Sequence, residues 1–549
     1  MKKQTRNLIL TLMGIAAAAI LYYIYLPAVN IHSASFWFFI MGLLLVAMLI
    51  YVIKKAGRQF LLADGRLLNL NIDLHEMKGL KFMGILLLVV FAVYLVGSIL
   101  SSPIVNAGKY QKLMTIEERD FTDDIKEVDY NTIPLLDKNS AALLGNRKMG
   151  SLVDMVSQFE VSDDYTQINY QGKPVRVTPL SYASPIKWLT NHRNGIPAYI
   201  LIDMATQDTQ CVKLQEGIKY SKSEYFNHYL YRHLRFRYPT YIFDDQIFFE
   251  IDEEGTPYWV CPVKKFNIGL FGGQTVGSVV LCNAVTGECV EYDVTDVPQW
   301  IDKVYSAELL IQLYDYSGIL KHGFWNSVLG QKDCLQSTNG YNYIALDDDV
   351  WVYSGVTSVS GDQSNVGFVL MNQRTMETRF YKVEGAIEDS AMSSAEGQVQ
   401  NLGYVATFPL LLNIADEPTY FMALKDGAGL VKKYAMVNVQ KYQWVAIGDT
   451  IQECEKNYSA LLSTNGIVGQ NADAEKEITG RITAIAPVVL SGTTHYYICL
   501  EGTDDIFDVN MEDESLIGII RCKEGDRIRI SYTEGYGLHY VKKFEAFSA

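Results

Sequence analysis

Three uncharged apolar segments near the N-terminus constrain this chain most, because each is long enough to cross a lipid bilayer. They cover about Asn7–Leu26, Ser35–Ile53 and Phe82–Leu100, and a membrane-spanning helix needs about 20 apolar residues. A cleaved signal peptide is the competing interpretation of the first segment. That segment is too long, and its small-residue cluster Ala16–Ala19 lies in the middle rather than at the end. We therefore predict a three-helix membrane anchor over residues 1–101.

Basic residues around these segments predict their orientation. The link 27–34 contains no Lys or Arg, whereas the link 54–81 contains six. Because basic residues concentrate in cytoplasmic links, we predict a multi-pass protein of the cell membrane with a cytoplasmic N-terminus. Residues from about 102 onward are then extracytoplasmic. Within the second link, the leucine-rich pieces 60–62 and 67–70 fit an amphipathic segment on the membrane or a plain connector equally well.

The rest of the chain is strongly acidic, which limits its partners. The 549 residues carry a net charge of −15. Residues 1–101 contain nine basic and three acidic side chains, and the remainder contains 38 basic and 59 acidic ones, a net charge of −21. Such a surface repels phosphate backbones, so we predict no nucleic-acid partner. We predict a membrane-embedded chain with a protein partner in the envelope. The sequence leaves the oligomeric state open.

Composition and turn signals divide the chain into five predicted regions. The anchor 1–101 is followed by a polar stalk at 102–135, α+β regions at 136–330 and 331–470, and a barrel at 475–549. The last region has five short strand patterns with one helical pattern between the third and fourth, which is typical of an OB-like β-barrel. Its loops fit saccharide binding or simple packing.

Four similar hairpins recur in the α+β regions. Each has an apolar residue followed by Asp or Asn at the entry to the turn, and three of the four have Thr three positions later. The entry residues are Asp203, Asn283, Asn372 and Asn438, and the later residues are Thr206, Thr286, Thr375 and Lys441. Asx and Thr side chains hydrogen-bond to their own nearby backbone in turns. We therefore predict turn chemistry rather than a ligand site at these positions.

The stretch around the second hairpin carries a family resemblance. Its strand ends in Asn283-Ala-Val-Thr-Gly-Glu288, and a short basic, aromatic helix lies ahead of it. In these features Tyr258–Pro298, and in part Ile196–Val212, resemble PepSY-type domains, whereas the third and fourth hairpins lack the Thr-Gly turn. Such domains are small extracytoplasmic α+β modules that are often linked to protease inhibition or envelope regulation. The resemblance implies PepSY-like repeats and carries over no functional residue.

The helix predicted ahead of this hairpin, over 221–237, begins with the capping-box pattern Ser221-Lys222-Ser223-Glu224. It is rich in aromatic and basic side chains. Its arginines are Arg232, Arg235 and Arg237. They fit binding of a ligand or a lipid headgroup, or an amphipathic helix whose cations reach solvent. His228 and His233 are five residues apart and do not share a helical face. We therefore predict no metal pair from them.

A glycine-rich stretch, Asn267–Gly277, precedes the second hairpin. It lacks the GxxxxGK[ST] order of a phosphate loop and does not lead from a strand to a helix. We predict a flexible connector between strands.

All eight cysteines lie beyond the anchor, where disulfides can form. Cys282 and Cys289 would face each other if the hairpin loop is Ala284–Gly287. Either they form a disulfide or Cys282 is a small core residue, as the apolar residues at its position in the other hairpins indicate. The chain contains no CxxC, GxSxG or HExxH motif. We predict no catalytic, cofactor-binding or metal-binding residues.

These features predict three N-terminal transmembrane helices followed by extracytoplasmic, PepSY-like α+β repeats and a small C-terminal OB-like β-barrel. The predicted function is non-enzymatic binding or scaffolding in the bacterial cell envelope. One alternative, implied by the PepSY resemblance, is a regulator or inhibitor of an extracytoplasmic hydrolase or protease. Another alternative is an enzyme with an unrecognised site.

Overall fold

Two compact units make up the chain in a computed structural model. Unit 1 contains Met1–Arg119 and Asn131–Lys382, and unit 2 contains Asp120–Tyr130 and Val383–Ala549. The division differs from the boundary predicted at 330/331, because strands between 335 and 381 complete a sheet of unit 1. The structure describes residues 3–60, 78–126, 136–346, 348–359, 364–465, 476–490, 493–503, 505–511, 513–534 and 539–547. Residues 61–62 and 67–70 of the second link lie outside the described residues.

Three long helices begin unit 1, namely α1 Lys3–Tyr25, α2 Ala34–Phe60 and α3 Lys78–Leu100. Two of them contain stretches apolar and long enough to cross a membrane, Ala34–Val52 and Lys78–Leu100, and each stretch is only 6% buried. Apolar side chains that stay exposed along a whole helix fit contact with lipid rather than with a protein core. In α1 the corresponding apolar stretch among the described side chains is shorter, Gly14–Tyr25. Among its described residues the chain therefore has two candidate spans, where the sequence predicts three.

The described residues of the predicted stalk are mostly exposed, but they include buried apolar side chains and regular elements. Helix α4 spans Pro103–Tyr110, and strand β1 spans Glu117–Arg119. Tyr110 and Met114 are only 5% and 4% exposed, and each belongs to an apolar cluster of unit 1. The many charges of this segment predict solvent exposure, but the apolar residues spaced between them are enough to bury one face. Helix α5, Phe121–Asp124, already belongs to unit 2.

Two antiparallel sheets share one apolar core of unit 1. Their strands are β2 Phe159–Val161, β3 Thr166–Tyr170, β4 Lys173–Tyr182, β5 Ile196–Asp203, β6 Thr209–Ile218, β7 Phe248–Ile251, β8 Pro257–Ile268, β9 Gly272–Asn283 and β10 Cys289–Asp293. The first sheet has the order β2-β4-β5-β6, with β3 also paired to β4, and the second has the order β10-β9-β8-β7. The helices of this part are α6 Lys138–Gly150, α7 Pro185–Asn191 and α8 Leu230–Arg237. Fully buried Trp259 and Phe249 lie in the shared core.

Helix α8 is shorter than the helix predicted over 221–237. The predicted first turn is replaced by irregular backbone and a 3-10 turn, Phe226–His228. Glu224 is 3% exposed and accepts hydrogen bonds from the Tyr182 hydroxyl at 2.7 Å and Trp188 Nε1 at 2.6 Å. Because these tertiary contacts use its carboxylate, the helix begins only at Leu230, about two and a half turns later.

A third sheet completes the described part of unit 1. Its elements are β1, β11 Leu335–Ser337, β12 Asn342–Leu346, β13 Asp349–Ser358, β15 Gly367–Asn372 and β16 Thr378–Tyr381, and a short strand β14 covers Ser364–Asn365. The strand order is β1-β16-β15-β13-β11, with β12 also paired to β13. Helix α9, Ala307–Ile319, packs in the apolar cluster that joins this sheet to the second one.

Unit 2 contains a mixed region and a barrel. The mixed region has β17 Gly385–Ala386, α10 Glu388–Gln398, β18 Val405–Ala406, β19 Leu410–Ile414, β20 Glu417–Lys425, β21 Val431–Asn438, β22 Val445–Gly448 and α11 Ile451–Thr464. The barrel has β23 Lys476–Leu490, β24 Thr493–Leu500, β25 Ile506–Asn510, β26 Arg527–Glu534 and β27 His539–Ala546. It closes in the order β23-β24-β25-β27-β26, with a 3-10 helix, Glu514–Arg521, between the third and fourth strands. The prediction of a five-stranded barrel with one inserted helix is confirmed.

Candidate functional site

All four predicted hairpins are present, and their polar side chains form the predicted turn bonds. In the first three, the Asp or Asn oxygen accepts from two backbone amides at 2.8–2.9 Å. The Thr hydroxyl accepts from a third amide at 3.2–3.3 Å. In the fourth, Asn438 accepts from the Lys441 amide at 2.8 Å. The prediction of turn chemistry is confirmed, since these oxygens are already occupied by the backbone.

The turns of the first and second hairpins border an open groove of about 1090 Å³ in unit 1. Charged side chains of both signs line it, among them Lys173, Lys213 and Glu216. Strand β6, which lies at the edge of the first sheet, forms one wall. Small ligands favour enclosed, mostly apolar pockets, whereas extended peptides can pair with an exposed strand edge. The groove therefore suits an extended polypeptide better than a small molecule.

Helix α8 binds the end of α1 through two of the predicted arginines. Arg235 Nε donates to the Leu26 carbonyl at 2.9 Å, and Arg232 Nε donates to the Tyr23 carbonyl at 3.2 Å. The Arg232 guanidinium also lies 4.0 Å from the Tyr23 ring centroid. The last carbonyls of a helix lack partners within it and carry partial negative charge, and α1 has no basic residue in its own last turn. The two arginines supply that missing cap.

These contacts correct both interpretations of the arginine-rich helix. Arg232 and Arg235 bond to backbone carbonyls within the protein, so neither is free for a headgroup and neither simply extends to solvent. Only Arg237 is exposed. The sequence could not indicate this role, because 209 positions separate each arginine from the carbonyl that it binds.

The turn between β8 and β9 makes a second set of contacts with the helix ends. Ser101 Oγ accepts from the Leu270 and Phe271 amides at 2.9 and 3.1 Å, and His32 Nδ1 donates to the Leu270 carbonyl at 2.7 Å. A Cβ atom at Gly272 would collide with the Ser101 carbonyl oxygen, so only glycine permits this approach. The glycine-rich stretch predicted as a flexible connector is a contact site with the helix ends. We call the arginine contacts and this turn together the anchor clasp.

A cysteine pair lies at the strand ends of the second hairpin. Cys282 and Cys289 are direct partners across β9 and β10, and they are 0% and 6% exposed. His233 of α8 lies against them, with Nε2 3.6 Å from Cys289 Sγ. The donor atoms of these three residues lie within 4.8 Å of one another. Both thiols are free in this structure, and the disulfide that the sequence leaves open is not formed.

The surroundings drive the pKa values of the two thiols apart. A hydrogen bond from Cys282, together with the neighbouring His233, lowers the pKa of Cys289 to about 5. The same hydrogen bond and burial raise the pKa of Cys282. The hydrogen bond to Cys289 raises the pKa of His233. The cluster therefore favours a thiolate on Cys289, a thiol on Cys282 and a proton on the imidazole.

A metal ion fits this cluster less well than a thiolate–imidazolium pair. His233 Nε2 lies 2.7 Å from the Gly287 carbonyl oxygen. A carbonyl oxygen can only accept, so Nε2 carries a hydrogen, and its lone pair is not available for a metal. The sequence does not indicate this cluster, because His233 and Cys289 lie 56 positions apart. One signal was present, namely that only the second hairpin has cysteine at both strand ends.

Two buried carboxylates, Glu250 and Asp302, form another titratable group in unit 1. They are 0% and 1% exposed, and Glu250 accepts from the Asp302 and Lys303 amides at 3.0 Å each. Burial raises the pKa of Glu250 to about 7 and raises the pKa of Asp302. Asp302 accepts from the Asn169 amide at 2.6 Å, so the two carboxylates join three segments of unit 1.

Comparisons with known proteins assign no family to this chain. No family model matches it, and no curated protein matches it. Among solved structures, the crystal structure of an ACO/RPE65 chimera aligns with 72% of this chain and 66% of its own, at 8% identity and a TM-score of 0.14. A TM-score this low is not evidence of a shared fold.

Proposed function

We propose that this chain is a membrane-anchored protein of the bacterial cell envelope that binds or scaffolds another protein and is not an enzyme. The observation that carries the proposal is the anchor clasp. Arg232 and Arg235 bind the end of α1, and the β8–β9 turn binds His32 and Ser101. A region held in this way cannot swing on a flexible tether. Its groove therefore keeps a constant position beside the membrane helices, as a docking protein requires.

The proposal includes three spans with the globular regions outside the cell. Helix α1 has 23 residues, enough for a hydrocarbon core of about 30 Å at about 1.5 Å per residue. With three spans, the α1–α2 link and the residues after α3 emerge on the same side. The contacts of His32 and Ser101 with one loop, at Leu270, support that arrangement. The positive charge of the second link supports a cytoplasmic position for that link.

The groove beside β6 is the proposed docking surface, and its occupant is an extended segment of a protein partner. The mixed charges of the groove and the position of β6 at the end of its described sheet support this choice. The PepSY-like character of the hairpins leads to the more specific proposal that the partner is an extracytoplasmic hydrolase under regulation.

The C-terminal barrel is proposed to be OB-like, and its strand order supports this proposal.

Orientation is tested by protease treatment of whole cells after removal of the wall. We expect cleavage at sites beyond residue 102 and protection of the second link. Protection of the region beyond 102 in intact cells, with cleavage only after lysis, would show that the orientation is reversed.

The clasp is tested with the double variant Arg232→Ala/Arg235→Ala in detergent, followed by hydrogen exchange of residues 22–33. We expect exchange of the last turn of α1 to rise by about tenfold or more, because each lost charge-assisted hydrogen bond contributes about 1.5–3 kcal/mol. Arg237→Ala removes the same charge from the same helix without touching α1, and it should leave this exchange unchanged. Equal hydrogen-exchange protection of this turn in the wild type, the double variant and Arg237→Ala would contradict the clasp.

Docking is tested by photo-crosslinking in cells from two exposed groove positions, Gln210 and Glu216. We expect one adduct of defined mass from both positions. Lys332, exposed elsewhere in unit 1, is the control position and should give no adduct. An adduct with an envelope hydrolase would favour the regulatory form of the proposal. Absence of any adduct specific to the groove would count against a docking role.

A further inference from the structure

We propose that Cys282 and Cys289 form a thiol–disulfide exchange site, in which Cys289 attacks an incoming disulfide and Cys282 resolves the product. This chemistry would take place at the second hairpin and does not depend on the docking role. The two thiols are partners across β9 and β10, and His233 lies beside them.

The strand register permits a disulfide between these residues. In the adjoining pair, the Asn283 amide donates to the Glu288 carbonyl at 2.8 Å. Hydrogen-bonded and non-hydrogen-bonded pairs alternate along an antiparallel ladder, so Cys282 and Cys289 form a non-hydrogen-bonded pair. The Cα atoms of such a pair are about 4.5 Å apart, within the range that a disulfide spans. The bridge therefore needs rotation of two side chains and no movement of the strands.

The two thiols are prepared for different roles. Cys289 lies on β10, the edge strand of its sheet, between the exposed residues Glu288 and Val290. Cys282 is completely buried on the inner strand β9. His233 sits next to Cys289, and its positive charge stabilises a thiolate there. The outer cysteine is thus the nucleophile, and the inner one is shielded until a mixed disulfide forms beside it.

The reaction balances without a metal or a further cofactor. The Cys289 thiolate attacks one sulfur of a disulfide RSSR′, forms a Cys289–SR bond and releases R′S⁻, which takes the proton held at His233. Cys282 then loses its proton and attacks Cys289 Sγ, and RS⁻ leaves with that proton as RSH. Two protein thiols are oxidised to one disulfide, and one external disulfide is reduced to two thiols.

The oxidant is either a small disulfide or the disulfide of an oxidoreductase, and the test uses one of each. The reduced full-length protein in detergent is mixed at pH 7 with oxidised glutathione or with a thioredoxin-fold oxidase in its disulfide form. Cys282 and Cys289 lie on one tryptic peptide, 266–303. We expect this peptide to lose two hydrogens with at least one oxidant. No loss with either oxidant would overturn the proposal.

Variants and a control thiol separate this chemistry from general reactivity. Cys282→Ser should accumulate a mixed disulfide on Cys289, whereas Cys289→Ser should leave Cys282 unmodified. Cys454 is a fully buried thiol in unit 2 whose pKa is raised to about 12 by burial, and it should stay reduced. Modification of Cys454 as fast as Cys289 would show that unfolding controls the reaction, and would overturn the proposal.

The pH dependence of Cys289 alkylation tests the contribution of His233. This measurement does not depend on how much disulfide a variant forms. In the wild-type protein, the alkylation rate of Cys289 should have its midpoint near pH 5. In His233→Ala the midpoint should move upward, and the hydrogen bond from Cys282 should keep it below about 8.5, the value of an ordinary cysteine. An unshifted midpoint would refute a role for His233. One equivalent of bound zinc that protects both thiols from alkylation would assign a metal site in place of the exchange site.

Discussion

The second hairpin differs from its three relatives in the residues that close its strands, although an Asp or Asn oxygen accepts from a turn amide in all four. In each hairpin the apolar residue before the Asp or Asn pairs with the first residue of the returning strand. The pairs are Ile202 with Thr209, Cys282 with Cys289, Met371 with Thr378 and Val437 with Val445. The four hairpins thus share a similar turn, and only the second one has a thiol on each of its two strand ends.

The left-handed turn position shows a second difference. It is occupied by Gln207 with φ 64°, Gly287 with φ 76° and Met376 with φ 65°. Since Gln and Met tolerate this conformation, the backbone alone does not require glycine in the second hairpin. The Tyr220 ring does, because a Cβ atom at residue 287 would collide with it. A neighbouring side chain, rather than the turn, decides the residue at this position.

The largest effect is expected for Gly287→Ala, which should lower the free energy of unfolding by about 2–5 kcal/mol. Overpacking against Tyr220 costs about 1–3 kcal/mol, and a left-handed alanine costs about 1–2 kcal/mol. Gly172→Ala is the matched control, because Gly172 has φ 71° and no described atom within 4 Å of a new Cβ. Gly172→Ala should lower the free energy of unfolding by only about 1 kcal/mol. Urea titration followed by tryptophan fluorescence measures both, and equal losses would show that Tyr220 moves aside freely.

A smaller effect is expected when the turn oxygens are removed. Asn283→Ala leaves two amides without their acceptor and should cost about 1–2 kcal/mol, whereas Thr286→Ala leaves one and should cost about 0.5–1 kcal/mol. Hydrogen exchange of the hairpin amides reports both losses. Asp203→Ala and Thr206→Ala should give the same ratio in the first hairpin. A large loss at Asn283 alone would mean that this Asx has a role its relatives lack.

The thiols of the second hairpin should make its stability depend on pH. The lowered pKa of Cys289 contributes stability that is present at high pH and is lost as pH falls through about 5. The raised pKa of His233 acts in the opposite sense, and its contribution is lost as pH rises above 6.5. Glu250 and Asp302 also titrate in this range, but they do so in Cys289→Ser as well. The free energy of unfolding of the reduced wild-type protein, measured relative to that of Cys289→Ser, should therefore rise by about 1–2 kcal/mol between pH 5 and 6.5. Denaturation of both proteins at both pH values measures this difference, and an equal change in the two proteins would contradict a thiolate on Cys289.

The smallest effect is expected for Gln207→Gly, which should raise the free energy of unfolding by about 0.5 kcal/mol. Glycine removes the left-handed strain at residue 207 but also gives the unfolded chain more freedom, so the two terms partly cancel. A rise in Tm of about 1–2 °C in a thermal melt would match this gain. Gln207→Ala keeps the strain and should give no rise. A loss of stability in the glycine variant would mean that the Gln207 side chain makes a contact of its own.

Local patterns predicted those parts of the fold that depend on neighbouring residues. The four hairpins follow from Asx and Thr at constant spacing, and the five-stranded barrel follows from five strand patterns with a helix between the third and fourth. The helix over 221–237 was predicted too long, because the carboxylate of Glu224 that resembled a helix cap bonds to Tyr182 and Trp188 instead. A capping pattern cannot show that a distant side chain competes for the same group.

By itself, the sequence determined the apolar helices, the excess of negative charge beyond them and the turn chemistry of the hairpins, because each of these depends on residue type and short spacing. Only the tertiary structure placed Arg232 and Arg235 on the end of α1, brought the β8–β9 turn to Ser101, and set His233 beside Cys282 and Cys289. The physical reason is the range of the interactions. Hydrogen bonds within a turn join residues a few positions apart, whereas a helix cap from another element or a thiolate–imidazolium pair depends on packing between distant segments.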